Sequence, residues 1–520
     1  MPEGAPPSDV DVLIVGGGIN GAGIARDAAG RGLRVCLLEQ ADLATFTSSA
    51  STKLIHGGLR YLEYGEVRLV REALIERERL LAIAPHLVHP LRFVLPHVPE
   101  LRPRWEIRLG LLLYDHLGGR RNLPASRAIR LDRDPAGRAL FPHFVHGFTY
   151  SDCRVDDSRL VVLNALDAAE RGATILPRTR FVGAVAERGG WRAEYLDTAS
   201  GERSGLHARV IVNAAGGWIE PVRRALGLTP EMSVRLVKGS HIVVSRLFEG
   251  TAAYLLQNRD RRVVFAIPYE EQLTLIGTTD VPYEGDLDAV SVSPAEIDYL
   301  CESVNRYFSR GIDPSQVIWS YAGVRALKDD RAEDAAAVTR DYELRVEQSS
   351  AGALALTVIG GKLSTYRSLA EGALEALQPR IGGSKRRWTH EAPLPGGDVP
   401  GADFESFERD ALRRWSGLPP RMVQRLARAY GTRMERILDG GSLETLGERF
   451  GADLTAAELD YLQNNEWAAA AADVLWRRSK LGLSVPPEAA ARIDRHLAAR
   501  ARRSRSSGSS QPGSRERPPV

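Results

Sequence analysis

A chain of 520 residues exceeds what one hydrophobic core serves, so two or three domains are expected. Its 43% hydrophobic and 26% charged residues are ordinary for a soluble globular protein, and a formal charge of +3 excludes a chain that binds polyanions over its whole surface. Three scattered cysteines, Cys36, Cys153 and Cys301, exclude a disulfide framework or a metal knuckle and fit a reducing cytoplasm. No apolar run approaches the ~18 residues that read as a membrane span. The opening MPEGAPPSDV has neither a basic region nor an apolar core, so no secretory signal is expected, and the first motif begins too early for a transit peptide.

Val12 to Val15 form a short apolar run suited to a buried parallel strand. Gly16, Gly18 and Gly21 follow at G-x-G-x-x-G spacing. The first permits a tight turn, the second lets a pyrophosphate approach the backbone, and the third lets the next helix pack closely on the sheet. Ile19 to Gly30 read as that helix, with Ile19 and Asn20 at the end whose amides and dipole favour phosphate. A second strand, Arg34 to Leu38, ends at Glu39, whose carboxylate can accept bonds from an adenosine ribose. In that order these parts predict a dinucleotide site, with NAD and FAD both open at this point.

Next comes a loop dense in hydroxyls, Thr47, Ser48, Ser49, Ser51 and Thr52, followed by His56-Gly57-Gly58 and then Arg60 and Tyr61. Directly after a ribose-binding acid, such a loop is expected to line the cofactor. Residues 102–121, RPRWEIRLGLLLYDHLGGRR, set apolar side chains between basic clusters, which suits either an interfacial helix or a core helix. Helical stretches are predicted over 158–171 and 294–307, and strands over 210–215, 241–244, 263–267, 273–276 and 354–359, a mixed α/β pattern. RVIVNAAGGW (209–218) puts small residues at a strand exit, where a second close approach to a ligand, or merely a tight turn, is possible. Lys238 and His241 open one strand, Arg325 and Lys328 lie in SYAGVRALKDD, and Arg340 in TRDY. IGGKLSTYR (359–367) repeats the glycine-turn logic: Gly361 and Lys362, then Leu363, with Ser364 and Thr365 opening a helix toward an anion. Together Arg60, Arg325, Arg340 and Lys362 favour a phosphorylated or carboxylated substrate. WTHEAPLPGGDVPG reads as a linker, 403–499 as helical, and the Ser/Arg-rich end as a disordered tail.

The segments GGGINGAGIARDAAGRGL, TSSASTKLIHGGLRYLE, YSDCRVDDSRL, LVKGSHIVV, IGTTD, GVR, TRDY and GGKLSTYR resemble the successive signatures of the FAD-dependent aerobic glycerol-3-phosphate dehydrogenases, from about residue 10 to about 485. NAAGGW and the Ala326 after Arg325 depart from the family forms at the level of the backbone. The resemblance implies an α/β fold: a glutathione-reductase-like FAD-binding domain from 8–95, 150–235 and 322–385, and an α+β substrate domain from 96–149 and 236–321. A linker at 386–401, an all-helical C-terminal cap at 402–499 and a basic tail at 500–520 complete it.

It also implies FAD, which we expect to be bound without a covalent link, and oxidation of sn-glycerol 3-phosphate to dihydroxyacetone phosphate. Electrons then pass to membrane quinone at the inner face of the cytoplasmic membrane. Gly16, Gly18, Ile19, Asn20, Gly21 and Glu39 would hold the ADP half. Thr47, Ser48, Ser49, Ser51, His56 and Gly57 would approach the flavin on one side, and Gly361, Lys362, Leu363, Ser364 and Thr365 on the other. Arg60, Tyr61 and Arg340 would bind substrate, and His241, Arg325 and Lys362 would act in catalysis, with His241 as base and Arg325 as the rival assignment. Neither a metal nor nucleic acid is expected, and a homodimer is compatible. The alternatives are an oxidase of the same substrate that uses oxygen, or a flavin amine oxidase of related fold.

Overall fold

Apolar residues on both faces make Asp9–Val15 (β1) a strand that must be covered from above and below, and it sits inside a parallel sheet. The computed structural model describes residues 7–119, 122–229, 232–328 and 341–508. Two compact units divide the chain, 4–404 and 405–520.

In the first unit β1 lies between Val35–Glu39 (β2) and the strand Arg203–Asn213, all three parallel. Thr174–Pro177 extends the sheet beyond β2, and Leu354–Ile359 and the antiparallel Glu343–Gln348 extend it beyond Arg203–Asn213. The helix Ile19–Gly30 (α1) follows β1 and packs against the helices Asp157–Glu170 and Tyr366–Ile381. Gly21 lets the start of α1 sit tight against the turn that leaves β1: a Cβ there would overlap the carbonyl oxygen of Gly16. A second, ten-stranded sheet carries the long antiparallel pair Val234–Ser245 and Val317–Lys328 at one end and His146–Val155 near the other. Its core is built from Ile242, Leu256, Val264 and Ile276 packed under the helix Pro294–Asn305.

The two sheets do not respect the expected boundaries. Leu54–Ile55, Val88–Pro96, all of His146–Val155 and all of Val317–Lys328 belong to the second sheet, although the sequence reading placed 8–95, 150–235 and 322–385 with the first domain. Each of these strands lies wholly in the second sheet, and composition does not register where the segments of one sheet give way to those of the other.

The expected linker at 386–401 is packed, not free. Arg26 bonds Asp167 at 2.6 Å and the Ala392 carbonyl oxygen at 2.8 Å, while Arg26 and Arg171 both lie over the Trp388 ring. Thr389, buried, donates to Glu371 at 2.7 Å. Proline and glycine marked the irregular backbone correctly, but a Trp within it supplies the area that holds it down.

Among its described residues the second unit is helical apart from one two-stranded hairpin, Arg449–Gly451 with Leu454–Thr455. Its helices include Pro420–Tyr430, Ala456–Glu466 and Ala489–Gly508. The stretch EWAAAAADVLWRR does not run as one helix: it breaks after Glu466, where Trp467 is left-handed (φ 57°), and fully buried Arg478 donates to the Glu466 carbonyl oxygen at 2.6 Å. Residues 500–508, expected in the tail, continue the last helix, and 509–520 lie outside the described residues.

Candidate active site

A cavity of about 480 Å³ opens where β1 ends and α1 begins. Gly16 (φ 114°) makes the turn in the left-handed region, and a Cβ there would meet the Ala214 carbonyl oxygen at 2.5 Å. Gly18 faces the cavity, and a Cβ there would meet only the Ser48 hydroxyl, at 3.0 Å. The Ile19 N–H donates to Ser48 Oγ at 3.0 Å, and the Gly17 N–H donates to Glu39 at 2.7 Å. Asn20 ties the start of α1 to the other end of the sheet, its Nδ2 donating to the Gly360 carbonyl oxygen at 3.0 Å. Its Oδ1 is buried and has no partner among the described residues.

These features suit a dinucleotide. A helix N-terminus meets the cavity for a pyrophosphate, a buried carboxylate stands at the tip of β2 for a ribose, and an orphaned acceptor awaits a donor. Phe46 and Trp218, with ring centres 4.4 Å apart, supply an apolar wall. That wall, together with Val182 and Ala215, was missed by sequence reasoning except for the small residues of NAAGGW.

Of the residues expected at the cofactor, Gly16, Gly18, Ile19, Asn20, Glu39, Thr47, Ser48 and Gly361 line this cavity. The others do not, and their partners say why. Gly21 stands behind the turn as a packing residue. The Ser49 hydroxyl donates to the Phe46 carbonyl oxygen at 3.2 Å, and Ser51 donates to Asp157 at 2.8 Å. The Gly57 N–H donates to the Tyr114 hydroxyl at 2.8 Å, which in turn donates to Asp152. Ser364 exchanges bonds with the main chain of His56, both at 3.0 Å. Thr365, fully buried, and Leu363 also lie off the cavity, and the helix begins only at Tyr366.

Two groups of side chains carry the remaining chemistry. In one, the Lys362 ammonium lies 3.8 Å from the centre of the Tyr61 ring, and its charge acts on His56. Burial and that ammonium hold the His56 imidazole down at about 4. In the other, Arg325 lines the cavity and donates to Asp280 at 2.8 Å, a carboxylate that also attracts Arg60. Asp280 stood in the IGTTD segment without an assigned role, because a lone acid on a strand end gives no directional signal.

His241, on the strand Val234–Ser245, stacks on Tyr321 with ring centres 4.9 Å apart. Its Nε2 lies 2.9 Å from Thr52 Oγ1, and its buried Nδ1 has no partner among the described residues. Burial, then the charges of Lys53 and Arg325, hold this imidazole down at about 3, so it is neutral at physiological pH. Arg340 lies outside the described residues.

Comparison with known proteins points the same way. Residues 11–366 match the family described as FAD dependent oxidoreductases, and 387–505 match the C-terminal domain of alpha-glycerophosphate oxidase. A D-erythritol 1-phosphate dehydrogenase of Brucella abortus is 51% identical over 92% of this chain and 95% of its own length. A glycerol-3-phosphate dehydrogenase of Pseudomonas aeruginosa is also 51% identical, over 95% of this chain and 96% of its own. The crystal structure of the glycerol-3-phosphate dehydrogenase of Bacillus halodurans complexed with FAD superposes with a TM-score of 0.72 at 27% identity, covering 94% of each chain.

Proposed function

The chain belongs to the FAD-dependent oxidoreductase family, and on that premise we propose that it oxidises sn-glycerol 3-phosphate to dihydroxyacetone phosphate and passes the electrons to a membrane quinone. One observation carries the reading. A buried His241, whose Nδ1 has no partner among the described residues, feels the charge of Arg325, which itself lines the nucleotide cavity.

Oxidising a secondary alcohol removes a hydride from carbon and a proton from oxygen, so a base and a firm grip on the substrate are needed. Bound FAD supplies the hydride acceptor. The chain supplies the rest. His241 accepts the hydroxyl proton at Nδ1. Arg325, paired to Asp280, offers no lone pair; it orients the hydroxyl and stabilises the charge that develops on its oxygen. Arg60 and Lys362 present cations to the phosphate, and Arg340 is assigned to the same dianion on its motif alone. Tyr61 supports the Lys362 ammonium by its ring face.

Anaerobic addition of glycerol 3-phosphate to the purified, yellow protein is expected to bleach its visible flavin band. An unchanged spectrum overturns the assignment. D-erythritol 1-phosphate deserves a parallel addition, because the two relatives at 51% identity act on different polyol phosphates. Faster bleaching by the longer polyol would move the substrate assignment to it. Stoichiometric hydrogen peroxide during turnover in air, undiminished by added quinone, would replace the quinone with oxygen.

Peripheral attachment at the inner face of the cytoplasmic membrane rests on the helix Arg104–Leu117. No described helix is long and apolar enough to cross a membrane. This helix instead has two apolar stripes. Ile107, Leu111 and Tyr114 are buried, whereas Trp105 (69% exposed), Leu109 (59%), Leu112 (45%) and Leu113 (43%) face out. The buried set follows helical i, i+4, i+7 spacing and the exposed set i, i+4, i+7, i+8, and the two stripes are offset by two residues, about 200° around the axis. The core reading and the interface reading of this segment are thus compatible, one on each face. Leu109→Glu with Leu112→Glu is expected to abolish co-sedimentation with anionic vesicles while leaving flavin reduction intact. Equal pelleting of the wild type and the variant would remove the helix from the membrane.

A further inference from the structure

The loop that supplies cofactor-lining hydroxyls also holds the candidate base from behind. Thr52 Oγ1 lies 2.9 Å from His241 Nε2, and the residues on either side of Thr52 are fastened to one carboxylate. Ser51 donates to Asp157 Oδ2 at 2.8 Å, and the Lys53 ammonium donates to the same oxygen at 2.8 Å. Asp157 is fully buried in the first turn of the helix Asp157–Glu170, where the helix dipole favours a carboxylate. Lys53 is nearly buried, its ammonium also donating to the Ser49 carbonyl oxygen at 2.9 Å and lying 4.9 Å from the Tyr321 ring centre. The Tyr321 hydroxyl donates to the Ser51 carbonyl oxygen at 2.9 Å. Lys53 has φ 58°, in the left-handed region, a conformation a lysine keeps only when its surroundings impose it.

We propose that Thr52, clamped by the buried Lys53–Asp157 pair, is a positioning residue that fixes the tautomer of His241. Its oxygen accepts the Nε2–H, which leaves the lone pair on Nδ1. The opposite tautomer would place a proton on Nδ1, a buried atom with no acceptor among the described residues, at a cost of about 1–3 kcal/mol for an unsatisfied donor. The base is thereby ready before substrate arrives. Tyr321 stacks on the ring and keeps its plane, so direction and tautomer are set by different residues.

This inference rests on His241 being the base, and the experiment separates the two. Thr52→Val keeps the shape and loses the hydroxyl, and Thr52→Ser keeps the hydroxyl. Rapid mixing of each holoenzyme with glycerol 3-phosphate gives the limiting rate of flavin reduction and the apparent substrate Kd. Thr52→Val is expected to lower the limiting rate by about tenfold to a hundredfold, as for the loss of other supporting partners of a reactive imidazole, with Kd unchanged. Thr52→Ser restores the rate, and Thr52→Val adds nothing when His241 is already alanine. A wild-type rate in Thr52→Val beside a slow His241→Ala overturns the proposal and leaves the base in place. A wild-type rate in His241→Ala removes the base assignment itself. Equal losses in the Val and Ser variants, accompanied by a weaker Kd, assign Thr52 to packing and also overturn the proposal.

Discussion

Replacing His241 by alanine is expected to slow flavin reduction at saturating glycerol 3-phosphate by about 10²–10⁴-fold, the range general bases contribute. The size of the loss follows from the site's other groups. Arg325 is ion-paired to Asp280, Lys53 to Asp157, and the remaining nearby cations, Arg60 and Lys362, have no basic lone pair to offer while charged. Neither Thr52 nor Tyr321, the side chains against the ring, is basic at neutral pH, so neither makes good the loss of the imidazole. Substrate affinity should hold, because the phosphate is gripped by cations on other segments. A fall in kcat that leaves Kd unchanged is the signature of an interaction made in the transition state. A variant that reduces its flavin at the wild-type rate would move the base elsewhere.

The second large effect separates two glycines of one motif. Gly21→Ala is expected to give protein that purifies without flavin and melts early, because its Cβ overlaps the Gly16 carbonyl oxygen and forces α1 away from β1. Overpacking of this kind costs about 1–3 kcal/mol or more, and here it also displaces the turn at Gly16, the proposed pyrophosphate site. Gly18→Ala meets only the Ser48 hydroxyl at 3.0 Å, a group that can rotate aside. It should fold with a near-normal Tm and bind flavin weakly. The ratio of visible to ultraviolet absorbance and a thermal melt read both outcomes. Equal behaviour of the two variants would deny the division between packing and ligand approach.

What the sequence made legible was local. Strand, turn, helix and acid lie within residues 12–39, so spacing alone ties them to one ligand. The hydroxyl loop was legible as a loop near the cofactor, but not the direction of each hydroxyl. Thr47 donates to the Val324 carbonyl oxygen at 2.6 Å, Ser51 to Asp157, and Thr52 meets His241, partners 106 to 277 residues away. Composition carries no trace of such pairings. Phe46 and Trp218 were invisible for another reason: an aromatic residue reads as core until a cavity is seen beside it. The exposed stripe of the helix Arg104–Leu117 was seen as composition, while its division into two faces needed the burial of each residue.

The bond from Asn20 to the Gly360 carbonyl oxygen has a consequence for how the protein is made. The cavity takes its walls from both ends of the first unit, with Gly16 and Gly361 on opposite sides of some 345 residues. At about 5–20 residues per second, a ribosome needs roughly 20–70 s to deliver the second wall after the first. Until then the strand Arg203–Asn213 lacks its parallel neighbour Leu354–Ile359, and the turn at Gly16 lacks the wall that Gly361 supplies. Cofactor capture is therefore expected late in synthesis. A nascent chain stalled before residue 360 should retain no flavin, whereas one stalled past the helix Tyr366–Ile381 should hold it.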